Sequence, residues 1–124
     1  MTDYLTLADV LFLHHDQIER YGGAHGVRDM GAVEAAVFRP QSGYYEDVIA
    51  EAAALMESLA MNHPFVDGNK RVAFAATHAF LKINGFEIKQ TADAVYEQMI
   101  TFFEENKFEF STLQPWLRQI AKAQ

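Results

Sequence analysis

The chain has 124 residues, a formal net charge of -7 and no cysteine. That length suits one domain over residues 1–124 with a core of its own, and the missing cysteine excludes a disulfide framework or a thiolate metal site. The acidic balance speaks against direct nucleic-acid binding, which rests on clustered Lys and Arg. Half the residues are hydrophobic, yet no run approaches the ~20 apolar residues of a membrane span. MTDYLTLAD at the start lacks the basic and apolar regions of a leader, so a cytoplasmic protein with no membrane partner is expected.

Helical periodicity dominates, with no repeat, linker or low-complexity tract. Thr6 and Asp9 make a capping box, followed by a stripe of Leu7, Val10, Leu11, His14, Ile18 and Tyr21 that Gly22 and Gly23 end. Asp29 is an N-cap for a second helix over Met30 to Phe38, closed by Pro40. Residues 41–47 read as a loop or small flap. A third helix runs from about Asp47 to Asn62, and its apolar stripe (Ile49, Ala52, Ala53, Met56, Leu59, Ala60) continues to His63, which it places at the inner end. Pro64 then discourages further helix. A fourth helix runs from Asn69 or Lys70 to Asn84 with Gly85 as its stop. A fifth uses Val95, Tyr96, Met99, Ile100 and Phe103, and a sixth starts from a capping box of Ser111 and Gln114. Phe86/Ile88 and Phe108/Phe110 alternate, which suggests short extended pieces. The expectation is an all-α bundle of about six helices with a flap between helices 2 and 3. His14 and His78 fall on apolar faces and are expected in the core, His15 and His25 in solvent. Gly22, Gly23 and Gly26 read as turn chemistry.

Most of the chemistry is concentrated in HPFVDGNKR, residues 63–71. His63 can take up a proton near neutral pH. Asp67 is a hard oxygen ligand for a magnesium ion shared with phosphate, or a helix cap. Gly68 lets backbone approach a ligand. Asn69 suits a phosphate oxygen or a cap of the fourth helix. Lys70 and Arg71 sit where cations are disfavoured, at a helix N-terminus, unless an anion binds there. Base, metal ligand and phosphate clamps together are the parts of nucleotide-dependent group transfer. Taken singly, His63 would more often be a core histidine and the two cations a solvated first turn.

HPFVDGNKR resembles the active-site motif of the Fic/Doc family, HxFx(D/E)(G/A)N(G/K)R, and residues 20–41, RYGGAHGVRDMGAVEAAVFRPQ, resemble its Doc-like (death-on-curing) branch. The resemblance implies a small helical Fic fold in which His63 is the general base on a target hydroxyl and Asp67 holds Mg2+. It also implies that Gly68, Asn69, Lys70 and Arg71 form the anion hole for ATP, with Phe65 as the motif's core anchor. The flap, with Ser42, Gly43, Tyr44 and Tyr45, would dock an extended target segment. Adenylylating members usually carry glycine where this chain has Lys70, and Doc-like members carry lysine. The implied reaction is therefore γ-phosphoryl transfer to elongation factor Tu by the toxin of a toxin–antitoxin system, with a cognate antitoxin covering the site. Pro64 and Gly68 match the adenylylating form, which makes AMP transfer the alternative. A non-catalytic nucleotide-binding or docking module and a metal-dependent phosphoesterase are the further rivals. TFFEEN, Thr101 to Asn106, fits the family's inhibitory pattern (S/T)xxxE(G/N), but Thr101 lies in a helix that the core needs, so a structural role is expected.

Overall fold

The computed structural model describes all residues 1–124. Six helices follow one another: α1 (Leu7–Tyr21), α2 (Met30–Phe38), α3 (Val48–Met61), α4 (Asn69–Ile83), α5 (Ala92–Glu104) and α6 (Phe110–Ile120). A 3-10 turn, Arg39–Ser42, follows α2. A two-stranded antiparallel ribbon pairs β1 (Phe86–Ile88) with β2 (Ala121–Ala123), Phe86 opposite Ala123 and Ile88 opposite Ala121. The fold is thus the expected helical bundle. No helix is long and apolar enough to cross a membrane.

The bundle is built around α3, of which only Val48, Glu57 and Met61 escape burial. Five alanines and one serine on this helix keep its surface shallow, which lets α4, α6 and α2 approach closely. Small residues at a contact shorten the interaxial distance. A single cluster of 26 buried residues results, running from Val10 on α1 through Leu59 and Phe80 to Leu117 on α6.

Local capping sets most helix starts. Thr6 and Asp9 close the predicted box on α1. Asp29, Asp47 and Thr91 accept from backbone N–H groups at the starts of α2, α3 and α5. The sixth helix departs from expectation. It starts at Phe110, and the Ser111–Gln114 box does not form. The Phe110 N–H instead donates to Glu57 Oε2 on α3 (2.8 Å). A carboxylate from another helix supplies the cap, which local sequence cannot reveal. For the same reason Phe108 and Phe110 are not extended: Phe108 is buried against Phe103 and Phe110 opens α6.

Three expected core positions on the helix stripes are exposed, among them Ile100 on α5, which is 50% exposed. Tyr21 lies on the last turn of α1 where the helix runs past the bundle, and is 69% exposed. His78 faces outward from α4, which is not apolar all round: its buried face is Val72, Ala73, Ala76, Thr77, Phe80 and Leu81. Pro40 does not close α2 abruptly, because it sits within the 3-10 turn.

Candidate active site

Residues 63–68 link α3 to α4. The helix before them ends at Met61 with Asn62 as C-cap, and His63 turns left-handed at φ 47°. That turn carries the chain off the α3 axis, so His63 does not continue the apolar stripe; it is exposed. Its expected inward position is therefore corrected: the imidazole stands at the rim of the bundle. Phe65 fills the inward role, 1% exposed and stacked on the His14 ring at 3.8 Å between centroids. A fully buried aromatic side chain in a short polar loop acts as an anchor.

His14 does more than pack. A carbonyl oxygen only accepts, so the His14 Nε2–H donates to the Asp67 carbonyl oxygen (2.7 Å). Burial pushes the imidazole below the ordinary histidine value, and His25 and Arg71 push the same way; the Asp67 carbonyl opposes them. A neutral, Nε2-protonated His14 thus lies under the loop. The signal in the sequence was a polar residue on an apolar stripe, which must find a partner.

The outer edge of the loop is bonded to the segment between α1 and α2. The Ala24 N–H donates to Asp67 Oδ2 (3.1 Å). The Val66 N–H donates to the Gly26 carbonyl (3.0 Å), and Val27 and Phe65 form an antiparallel bridge. The N–H groups of Arg28 and Asp29 both donate to the Pro64 carbonyl, at 2.9 and 3.0 Å. Arg28 Nε donates to the His63 carbonyl (2.7 Å) and Nη2 to that of Asn62 (3.1 Å). Residues 24–29 are thus a template on which residues 62–67 are laid. Gly23 belongs to it by necessity: a Cβ there would stand 2.6 Å from Asp67 Oδ2.

The inner end of the loop opens α4. Its N-cap is Gly68 at φ 74°, and no side chain caps it. A Cβ on Gly68 would lie 3.0 Å from Ile18 Cδ1. Asn69 is not the cap either. Its Oδ1 accepts from the Phe65 N–H and its Nδ2 donates to the Phe65 carbonyl, both at 3.0 Å, so it locks the loop from inside. The N–H groups of Asn69, Lys70 and Arg71 meet no acceptor in the protein. Lys70 has no acidic partner, and its Nζ sits 4.2 Å above the Phe103 ring. Arg71 Nη1 donates to the carbonyls of Gly22 (2.8 Å) and Gln17 (3.3 Å), so its charge is aimed by α1.

His63, Asp67, Gly68, Asn69, Lys70 and Arg71 all line one cavity of about 430 Å³. Phe65 lies beneath it. Ser42, Gly43, Tyr44 and Tyr45 do not line it, and neither does Glu105 of the TFFEEN segment. That segment ends α5, where Phe103 stacks on Phe108 and supports Lys70. Backbone N–H donation from Ala24 and Gly68 holds the Asp67 carboxyl below the usual range, so it is an acceptor-only anion. No group of three or more acidic, His or Cys side chains could hold a metal on its own. A single carboxylate that shares its ion with substrate phosphates is a magnesium habit, so the donor set fits Mg2+ arriving with a nucleotide.

An uncapped helix N-terminus, two cations without acidic partners, a fixed carboxylate and an exposed imidazole meet around one cavity, an arrangement that suits an anion. The model of the Fic/DOC family matches residues 4–81, and the chain belongs to that family. It is 45% identical over 98 residues to "Toxin Doc" of Mycolicibacterium smegmatis (strain ATCC 700084 / mc(2)155), covering 75% of this chain and 73% of that protein. It is 34% identical over 89 residues to "Protein kinase doc" of Escherichia phage P1, covering 68% and 71% respectively.

Proposed function

We propose that residues 1–124 form one Fic/Doc domain that acts as the toxin of a toxin–antitoxin system. It transfers the γ-phosphoryl group of ATP to a hydroxyl of elongation factor Tu and so arrests translation. The observation that carries this reading is the shared cavity: His63 and the open N-terminus of α4 face the same space. The names of the two relatives, a toxin and a protein kinase, support it.

In this reading the free N–H groups of residues 69–71, with Lys70 and Arg71, bind the phosphates. Asp67 holds Mg2+, which when bound neutralises charge on the phosphate oxygens. His63 takes the proton from the target hydroxyl. The hydroxyl oxygen forms a bond to the γ-phosphorus, the bond from that phosphorus to the β–γ bridging oxygen breaks, and ADP leaves. The Asn69 side chain, through its two bonds to the Phe65 backbone, and the buried Phe65 ring keep the loop in shape, while the Asn69 N–H faces the phosphates. The flap at Ser42–Tyr45 receives the target, and a cognate antitoxin neutralises the protein by covering the cavity.

Lys70 favours the phosphoryl route, because its ammonium occupies the first turn of α4 with no acidic partner to consume its charge. Pro64 and Gly68 favour AMP transfer by their match to adenylylating relatives. Incubation with elongation factor Tu and either γ- or α-labelled ATP separates the two. Label from the γ position alone is expected. Label from the α position overturns the kinase reading in favour of AMP transfer. Turnover of nucleotide without any labelled protein points to phosphoester hydrolysis. Full growth arrest by His63→Ala would leave only a non-catalytic module.

A further inference from the structure

α3 ends in an unusual way. The last carbonyls of a helix have no intrahelical donors, and the common solution is a glycine in the left-handed conformation just past the C-cap. Here that position is His63, at φ 47°. A non-glycine residue is strained there and stays only where its surroundings impose it. Pro64 does not help, since the residue before a proline prefers extended backbone.

Arg28 supplies the missing restraint. Its guanidinium donates to the Asn62 and His63 carbonyls together, and its charge lies at the negative end of α3. The other arginines are employed elsewhere: Arg20, Arg39 and Arg118 pair with carboxylates, and Arg71 is aimed by α1. Arg28 pairs with no carboxylate. It is also exposed, so core packing does not account for it.

We propose that Arg28 is the positioning residue of the proposed base. By gripping the carbonyls on either side of the His63 Cα, it fixes the peptide planes that decide where the imidazole points. Only the two side-chain torsions of His63 are then left to set. Without Arg28, the strain and Pro64 together draw His63 into the extended region, and the ring swings off the rim of the phosphate cavity. This inference rests on reading His63 as the base, and it assigns a role to the Gly26–Asp29 segment beyond turn formation.

The test uses the full chain as wild type, Arg28→Met, Arg28→Lys and His63→Ala. The three-bond HN–Hα coupling and Cα shift of His63 report its φ with no acceptor present. Left-handed values in the wild type and extended ones in Arg28→Met are expected; left-handed values in both overturn the proposal. In γ-phosphoryl transfer to elongation factor Tu, Arg28→Met is expected to lower kcat about 10–100-fold, the loss typical of a misplaced reacting group, while KM for ATP stays put. Arg28→Lys, which keeps one donor, recovers part of it. Added to His63→Ala, Arg28→Met costs nothing further, because the two act as a unit. An unchanged kcat, an equal loss of kcat and ATP binding, or a loss that adds to that of His63→Ala each overturns the assignment. Failure of the base reading shows itself separately, as full transfer by His63→Ala alone.

Discussion

The motif loop and the flap are both short, polar connections, at opposite ends of α3, and they are built in opposite ways. The carbonyls of residues 62–65 and 67 are all engaged, from outside by Arg28 and Asp29 and from inside by Asn69 and His14, and the Val66 N–H is held by the Gly26 carbonyl. The flap is secured only at its base. Arg39 Nε donates to the Tyr45 hydroxyl (2.7 Å), and Arg118 grips Glu46 and Asp47. Between these ties Tyr44 is 82% exposed, with its ring edge-on to that of Tyr45. The difference suits two tasks. A reacting group must be fixed before substrate arrives, since small misplacements are costly. A surface that receives a partner can leave part of its order to be completed by that partner.

The sharpest way to break this contrast is at the base. His63→Ala should lower the rate of transfer by about 10²–10⁴, the usual worth of a positioned proton acceptor, while ATP still binds by calorimetry. Its exposure means that the melting temperature should hardly move. Phe65→Ala should act the other way, on the fold. Emptying a fully buried aromatic site costs about 3–5 kcal/mol, to be read as a shift in the urea midpoint; a small shift would mean that the loop is not anchored from below.

Gly68→Ala comes next. It asks a Cβ to fit 3.0 Å from Ile18 Cδ1 on left-handed backbone, at about 1–3 kcal/mol. The flap should respond more weakly and differently. Tyr44→Ala is expected to raise KM for elongation factor Tu about fivefold, equivalent to about 1 kcal/mol of contact, with kcat and stability unchanged. The smallest effect concerns pH. His14 has a folded-state pKa below its unfolded value of ~6.5. Between the two values the unfolded chain holds the extra proton, so stability is full above pH ~6.5 and falls as pH drops through the window beneath it. His14→Gln should remove that part of the pH dependence, measured as melting temperature across the same range.

The same contrast governs what could be read from the sequence. Helix starts set by a neighbour in the chain, such as Thr6 with Asp9 or Asp47 with Ala50, were legible, because the cap and the capped N–H lie three residues apart. The start of α6 was not, since its cap comes from Glu57. In the site, nine adjacent residues mark the cavity that seven of them line, but how each is held depends on partners distant in the chain. Asn69 reads as a phosphate contact or a cap; its side chain does not cap α4 but clasps the Phe65 backbone. His63 follows an apolar stripe on paper, yet the left-handed turn takes it out to the rim. Arg28 carried no periodic signal, because its partners are two backbone carbonyls more than thirty positions away.

The central claim, a rigid loop that presents a base to a phosphoryl cavity, is tested most directly by intact-mass spectrometry of host proteins after induction of wild type and His63→Ala. The account predicts that elongation factor Tu gains the mass of one phosphate with the wild type and nothing with His63→Ala. A gain of one AMP, or an equal gain with both proteins, would contradict it.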